Sequence, residues 1–170
     1  MNLKEYIRDI PDFPKPGIIF KDISPLLQNS NATKEAVLKL AKGLDKTKID
    51  QVVGIESRGF LLGILLAQHL QVGFTLMRKP GKLPGKVIKQ SYALEYGEDA
   101  IEIQENAIKP GQKVILHDDV LATGGTAVAA QKLIERCGAE VIEFNFLMEL
   151  DFLKGREKLG KTPIKSLLNY

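Results

Sequence analysis

The hydrophobic positions along the chain follow two alternating periods. Short apolar runs, Gln51-Val52-Val53-Gly54-Ile55, Phe74 to Met77, Val114-Ile115-Leu116 and Val141 to Leu150, have the length and β-branched content of buried parallel strands. Between them, apolar residues recur every three or four positions in Thr33 to Leu44, Phe60 to Leu70 and Ala127 to Cys137. These stretches predict helices; in the first, Ala36, Val37, Leu40, Ala41 and Leu44 face inward and Ser30-Asn31 supply the cap. Strand and helix in alternation predict an α/β fold, a mainly parallel twisted sheet with helices on both faces. Ser91 to Tyr96 and Ala100 to Gln104 flank Gly97-Glu98-Asp99 and predict a β-hairpin excursion. Asn2 to Ile10 and Leu153 to Leu159 read as short helices, and Ile164 to Leu168 as a last strand.

Two stretches break the pattern. Pro11-Asp12-Phe13-Pro14-Lys15-Pro16-Gly17 excludes regular structure, because proline removes donors and restricts its neighbours. The extended run Ile18 to Ile23 follows and stops at Ser24-Pro25; it is either a surface connector or a stiff presenter of Phe20 and its backbone to a flat ligand. Arg78 to Lys86 holds four cations among two glycines and two prolines, so it neither coils into a helix nor pairs in a central sheet. It is either a solvated loop or one that closes on an anion.

The densest chemistry lies at residues 114–127. Asp118 and Asp119 stand where the strand is expected to end, followed by Ala122-Thr123-Gly124-Gly125-Thr126 at the start of a helix. The glycines allow a sharp turn and close approach, and amides at a helix start attract phosphate. The two carboxylates would repel that phosphate, so they serve a hydrogen-bond donor or a cation close by. A ribose 5-phosphate meets both demands. The stretch is neither a P-loop, which needs a lysine after the glycines, nor a G-x-G-x-x-G fingerprint. A second strand–turn–helix joint, Glu56-Ser57-Arg58-Gly59, is either a plain capping turn or a further anion corner with Arg58 as a two-donor clamp.

With 170 residues, the chain is long enough for one domain with a substantial core. Net charge +3 is too small to argue for nucleic acid. A single cysteine, Cys137, rules out an internal disulfide and suits a reducing compartment. No apolar stretch approaches the ~20 residues of a membrane helix, and no secretory signal opens the sequence, so cytoplasmic location is expected. His69 and His117 lack metal-ligand spacing; His69 should close a helix and His117 should be a hydrogen-bonded core residue.

The run from Val114 to Thr126 resembles the PRPP-binding motif of the type I phosphoribosyltransferase family. The resemblance extends over nearly the whole chain through Asp12 to Ile23, Glu56 to Phe60, Gly81 to Gly85, Ser91 to Gly97 and Leu153 to Leu159, and the segment Lys82 to Gly97 points to the adenine branch. It implies a single domain over 1–170, with residues 1–27 as a base-binding hood and 78–92 as a flexible catalytic loop carrying the hairpin. It implies adenine and PRPP as substrates, AMP and pyrophosphate as products, Mg2+ held mainly through PRPP with no certain protein ligand, and a homodimer. By the same resemblance Ala122, Thr123, Gly124, Gly125 and Thr126 hold the 5′-phosphate, and Asp118 and Asp119 the ribose hydroxyls. Glu56, Ser57, Arg58 and Gly59 meet the pyrophosphate with Arg78 and Lys82; Phe20 stacks on adenine while Ile19 and Lys21 read it by backbone. Glu95 lies near the imidazole side of the purine. His117, and Lys21 where arginine is frequent, depart from the common pattern. No residue presents itself as a covalent nucleophile, so direct displacement with inversion at C1 is expected. The alternatives are transfer to another base, or a regulator that binds PRPP without turnover.

Overall fold

The computed structural model describes residues 1–93 and 97–170. By internal contacts the chain divides into two compact units, Met1–Lys39 and Leu40–Tyr170.

In the first unit, a 3-10 turn at Leu3–Tyr6 is capped by the Asn2 side chain. Strands β1, Arg8–Pro11, and β2, Ile19–Asp22, then pair antiparallel with Ile10 opposite Phe20. The helix expected over Asn2 to Ile10 is therefore only one turn long. Pro11 disfavours the helical region for Ile10, and two cross-strand ion pairs support the extended form: Arg8 with Asp22 at 2.6 Å and Lys21 with Asp9 at 2.7 Å. Helix α1, Ser24–Gln28, follows, and α2, Ser30–Ala41, starts three residues earlier than its apolar spacing predicts. Asn29 is the reason: its Oδ1 accepts from the amide of Ala32.

The second unit is built on a parallel five-stranded sheet. Its strands are β3, Gln51–Ile55; β4, Gly73–Met77; β7, Lys113–Leu121; β8, Glu140–Glu149; and β9, Ile164–Asn169. Between β4 and β7 the chain forms the antiparallel hairpin of β5, Val87–Ala93, and β6, Glu98–Gln104. The spatial order is β4-β3-β7-β8-β9, so the direction of winding reverses between β3 and β7. In open parallel sheets a ligand crevice forms at that reversal, outside the carboxyl ends of the strands.

Helix α3, Gly59–Leu70, covers one face of β3, β4 and β7, burying Leu62 and Leu66 completely. Each such side chain contributes about 1.5–3 kcal/mol. Helix α4, Gly125–Arg136, packs on the other face, where Val53, Ile55, Val114, Leu116, Phe144 and Phe146 form a core with its Ala130, Leu133 and Ile134 and with Ile101 and Ile103 of the hairpin.

The structure differs from two of these expectations. Glu98 and Asp99 belong to β6, paired with Ala93 and Tyr92, instead of forming the hairpin turn. Arg78 stays out of the central sheet, as expected, and makes only an isolated antiparallel bridge with Glu102 of the hairpin. Leu153 to Leu159 is broken into 3-10 turns at Asp151–Leu153 and Gly155–Lys158, with Lys154 between them in the left-handed region (φ 51°).

Candidate active site

Strand β7 continues through both aspartates to Leu121, instead of ending before them, with Asp118 and Asp119 aligned beside β8. Ala122 and Thr123 then lead to Gly124, which turns with φ 79° and caps α4 without any side-chain hydrogen bond. The first amides of α4 have no partners within the helix. A pocket of about 70 Å³ opens over them, lined by Asp118, Phe146 and the run from Val120 to Ala127. The site therefore joins a positive helix end to a carboxylate, as the phosphate-plus-hydroxyl reading requires.

Asp119 is only 5 % exposed, and burial pushes its carboxyl up despite the charge of Arg58. Arg58 Nε stands 2.8 Å from Asp119 Oδ2 as an ion pair, although that oxygen has no well-directed hydrogen bond. Asp118 rises further above the ordinary carboxylate range, first because it is desolvated and second because the Asp119 charge is adjacent. The amide of Asp119 donates to Asp118 Oδ1 at 2.9 Å.

The turn after β3 lies across the crevice. Gly59 must be glycine, since a Cβ there would come within 2.9 Å of Asp118 Oδ1 and 3.0 Å of the His117 carbonyl oxygen. The preceding Glu56–Ser57 peptide bond is cis. Glu56 does not stand open to an anion. Its carboxylate receives Arg78 Nε at 3.2 Å, the Lys79 amide at 2.8 Å and the Lys82 ammonium. Burial alone would raise its pKa, but those donors together hold it below the usual carboxylate range. Thus Glu56, Arg78 and Lys82 form one charge cluster.

Other participants were not singled out by sequence. Lys79 Nζ binds Tyr92 Oη at 2.8 Å and pairs with Asp99, while Tyr92 Oη also contacts Asp99 Oδ2 at 3.1 Å. Thr126 Oγ1 of the glycine turn donates to Tyr92 Oη at 3.2 Å. The hairpin is thereby tied to the glycine turn at the start of α4. Lys79 was visible only as one of four cations, and the misplaced hairpin turn concealed that Tyr92 and Asp99 are partners.

His117 is fully buried, its Nδ1 3.0 Å from Asn145 Oδ1, and burial lowers its pKa to about 4. It is the core histidine that the sequence suggested. In the first unit, Phe20 meets Phe13 edge-on at 5.2 Å, Ile19 is 56 % exposed, and Lys21 is engaged by Asp9. Glu95 lies outside the described residues. Among the described residues, no group of three or more His, Cys, Asp or Glu side chains has the geometry of a metal site.

Residues 26–166 match the phosphoribosyl transferase domain family. The chain belongs to the phosphoribosyltransferase family. A relative from Christiangramia forsetii named adenine phosphoribosyltransferase is 56 % identical over 170 residues, covering 100 % of this chain and 99 % of the relative. The crystal structure of adenine phosphoribosyltransferase from Rhodothermus marinus superposes with a TM-score of 0.94 at 50 % identity, covering 99 % of this chain and 96 % of that one. The Saccharomyces cerevisiae enzyme, complexed with adenine and an imino-altritol bisphosphate, gives a TM-score of 0.90 at 48 % identity, covering 96 % of this chain and 95 % of that one. The chain therefore shares its overall fold with these two adenine phosphoribosyltransferase structures.

Proposed function

We propose that this phosphoribosyltransferase moves the 5-phosphoribosyl group of PRPP to adenine, releasing AMP and pyrophosphate in purine salvage. The observation that carries the reading is the crevice between β3 and β7, where the glycine turn of α4, the Asp118–Asp119 pair and Arg58 converge. The base is supported by the adenine phosphoribosyltransferases that match across the whole chain.

In this reading, the amides and hydroxyls of Ala122 to Thr126 bind the 5′-phosphate and Asp118 with Asp119 accept from the ribose hydroxyls. Arg58, Arg78 and Lys82 draw off the charge that develops on the departing pyrophosphate. Ser57 and Gly59 contribute backbone there, and Glu56 keeps the cations in place. C1 becomes cationic as the leaving group departs; N9 of adenine attacks from the opposite face, with inversion. Phe20 supplies the stacking surface, backbone of Ile19 and Lys21 reads the purine edge, and Glu95 shares a proton with N7. Residues 1–27 act as the base-binding hood of one catalytic domain, and 78–92 as its catalytic loop, of which 87–92 is β5.

The donors suit Mg2+ bound mainly through substrate. Two adjacent carboxylates, Asp118 and Asp119, offer hard oxygen ligands, and PRPP with water would complete six. When bound, the ion neutralises charge on the pyrophosphate.

A second copy of the chain is the expected partner. Leu61 and Ile64, three residues apart on α3, are 42 % and 49 % exposed, apolar side chains suited to a homodimer contact. Among the described residues no helix is long and apolar enough to cross a membrane, and the cytoplasm is the proposed location. A spectrophotometric assay with adenine, PRPP and Mg2+ tests the function: stoichiometric AMP and pyrophosphate support it, and PRPP binding without turnover would assign a regulator instead.

A further inference from the structure

The segment Leu150 to Leu159 has no role in the reaction described above, yet it touches the phosphate turn backbone to backbone. The amide of Leu150 donates to the carbonyl of Leu121 at 2.9 Å, immediately before the turn. Gly155 is buried against it: a Cβ there would overlap the Ala122 carbonyl oxygen and stand 3.0 Å from the Gly124 nitrogen. The relation is mutual, since a Cβ on Gly124 would fall 2.6 Å from the Gly155 carbonyl oxygen. No side chain fits between these two stretches of backbone.

The position of Gly155 is fixed from both sides. Lys154 precedes it in the left-handed region, and the Asp151 amide donates to the Tyr170 carbonyl at 2.9 Å. After it, Arg156 forks onto Glu149, the last residue of β8, with Nε to Oε1 at 3.0 Å and Nη2 to Oε2 at 2.5 Å. Ser166 Oγ donates to the same carboxylate at 2.9 Å, and Leu159 is buried in the core. A planar two-donor pair constrains direction as well as distance.

We propose that Gly155, anchored by the Arg156–Glu149 pair, is a positioning residue that sets the path of Ala122 to Gly124 and so aims the amides of the turn at the 5′-phosphate. The inference rests on the assignment of that turn to the phosphate. Adding one methyl at Gly155 displaces the turn without altering any group that touches substrate.

The test is Gly155→Ala, with Arg156→Ala as a second variant that releases the anchor and adds no bulk. Gly155→Ala should raise KM for PRPP and weaken calorimetric AMP binding by about tenfold to a hundredfold, as loss of one hydrogen bond to a charged group does. KM for adenine and kcat should change by no more than a few-fold, and Arg156→Ala should shift PRPP in the same direction by less. If Gly155→Ala does not fold, Arg156→Ala decides alone. Parent-like PRPP KM in the folded variants overturns the proposal. So does an equal rise in KM for both substrates, or a fall in kcat that merely follows the folded fraction. A Thr123→Ala/Thr126→Ala double variant separates this proposal from the reading beneath it. Unchanged AMP affinity in the double variant would mean that the turn is not the phosphate site; weakened affinity there with a normal Gly155→Ala would remove only the positioning role.

Discussion

Arg58 and Asp119 face each other across the crevice at 2.8 Å, one from the turn after β3 and the other from the end of β7. The pair links the corner proposed for pyrophosphate to the carboxylates proposed for ribose. Asp119 carries the buried side of it, and the guanidinium remains partly exposed at 31 %. Arg58→Ala leaves a buried carboxyl without its cation, which favours protonation. kcat/KM should fall by about 10²–10³-fold, the range for loss of one preorganised charge donor. The acid limb of its pH profile should also move upward. An unmoved acid limb would dissociate Arg58 from Asp119 in function.

Asp118 illustrates a site that costs stability. Its carboxyl is raised by desolvation and by Asp119, so above the ordinary value of 3.8 the folded chain keeps a proton that the unfolded chain has released. Stability on this account falls as pH rises through the window from 3.8 to the raised value. Asp118→Asn should therefore shift the urea midpoint upward at pH 8, with the gain shrinking toward pH 4, while PRPP binding weakens at least about tenfold. Denaturation at both pH values, with calorimetry, checks this; a destabilised variant at pH 8 would show that the carboxylate is better solvated than its surroundings imply.

Glu56 gathers Arg78, Lys82 and the Lys79 amide, so it should organise the 78–82 stretch before substrate arrives. In Glu56→Gln the ion pairs are lost and trypsin should cut after Arg78 or Lys82 faster than in the parent. PRPP with Mg2+ should suppress cutting in both. Identical cleavage of the two proteins without ligand would mean that Glu56 does not hold the segment.

Tyr92 joins Thr126 to Lys79 and Asp99 through a single hydroxyl. Tyr92→Phe keeps the ring and removes those bonds, each worth about 0.5–1.5 kcal/mol. The expected outcome is a rise of several-fold in KM for PRPP with adenine KM unchanged. Steady-state kinetics with each substrate varied in turn decides it.

The parallel sheet was legible because β3, β4, β7 and β8 each contain a short apolar run, and the glycine turn because its glycines and hydroxyl residues stand between such a strand and a helical stretch. Arg58 was legible by its place in a strand–turn–helix joint. Its partner Asp119 was not, because sequence separates them by the whole of α3, β4 and the hairpin. The extended state of Arg8–Pro11 was hidden because Pro11 serves equally as the stop of a helix ending at Ile10 and as a residue that turns Ile10 itself away from the helical region. Gly155 was legible only as part of the segment Leu153 to Leu159 that carries the family resemblance, since its close backbone contact with Ala122 and Gly124 arises only when β7 and the end of β8 are brought together.

Adenine transfer requires that the site choose between purines by their hydrogen-bonding edges. Lys21 is held by Asp9 at 2.7 Å, which suits reading of the base by backbone and not by its ammonium group. Adenine offers an acceptor at N1 and a donor at its amino group, and hypoxanthine reverses both. A site built on such readout discriminates by roughly 10⁴ or more. The measurement is the specificity constant for adenine against hypoxanthine, with PRPP and Mg2+ saturating, in the parent and in Lys21→Ala. Adenine should be preferred by about 10⁴ in both proteins, with AMP and pyrophosphate formed in equal amounts; comparable use of the two bases by the parent would rule out an adenine-specific transferase.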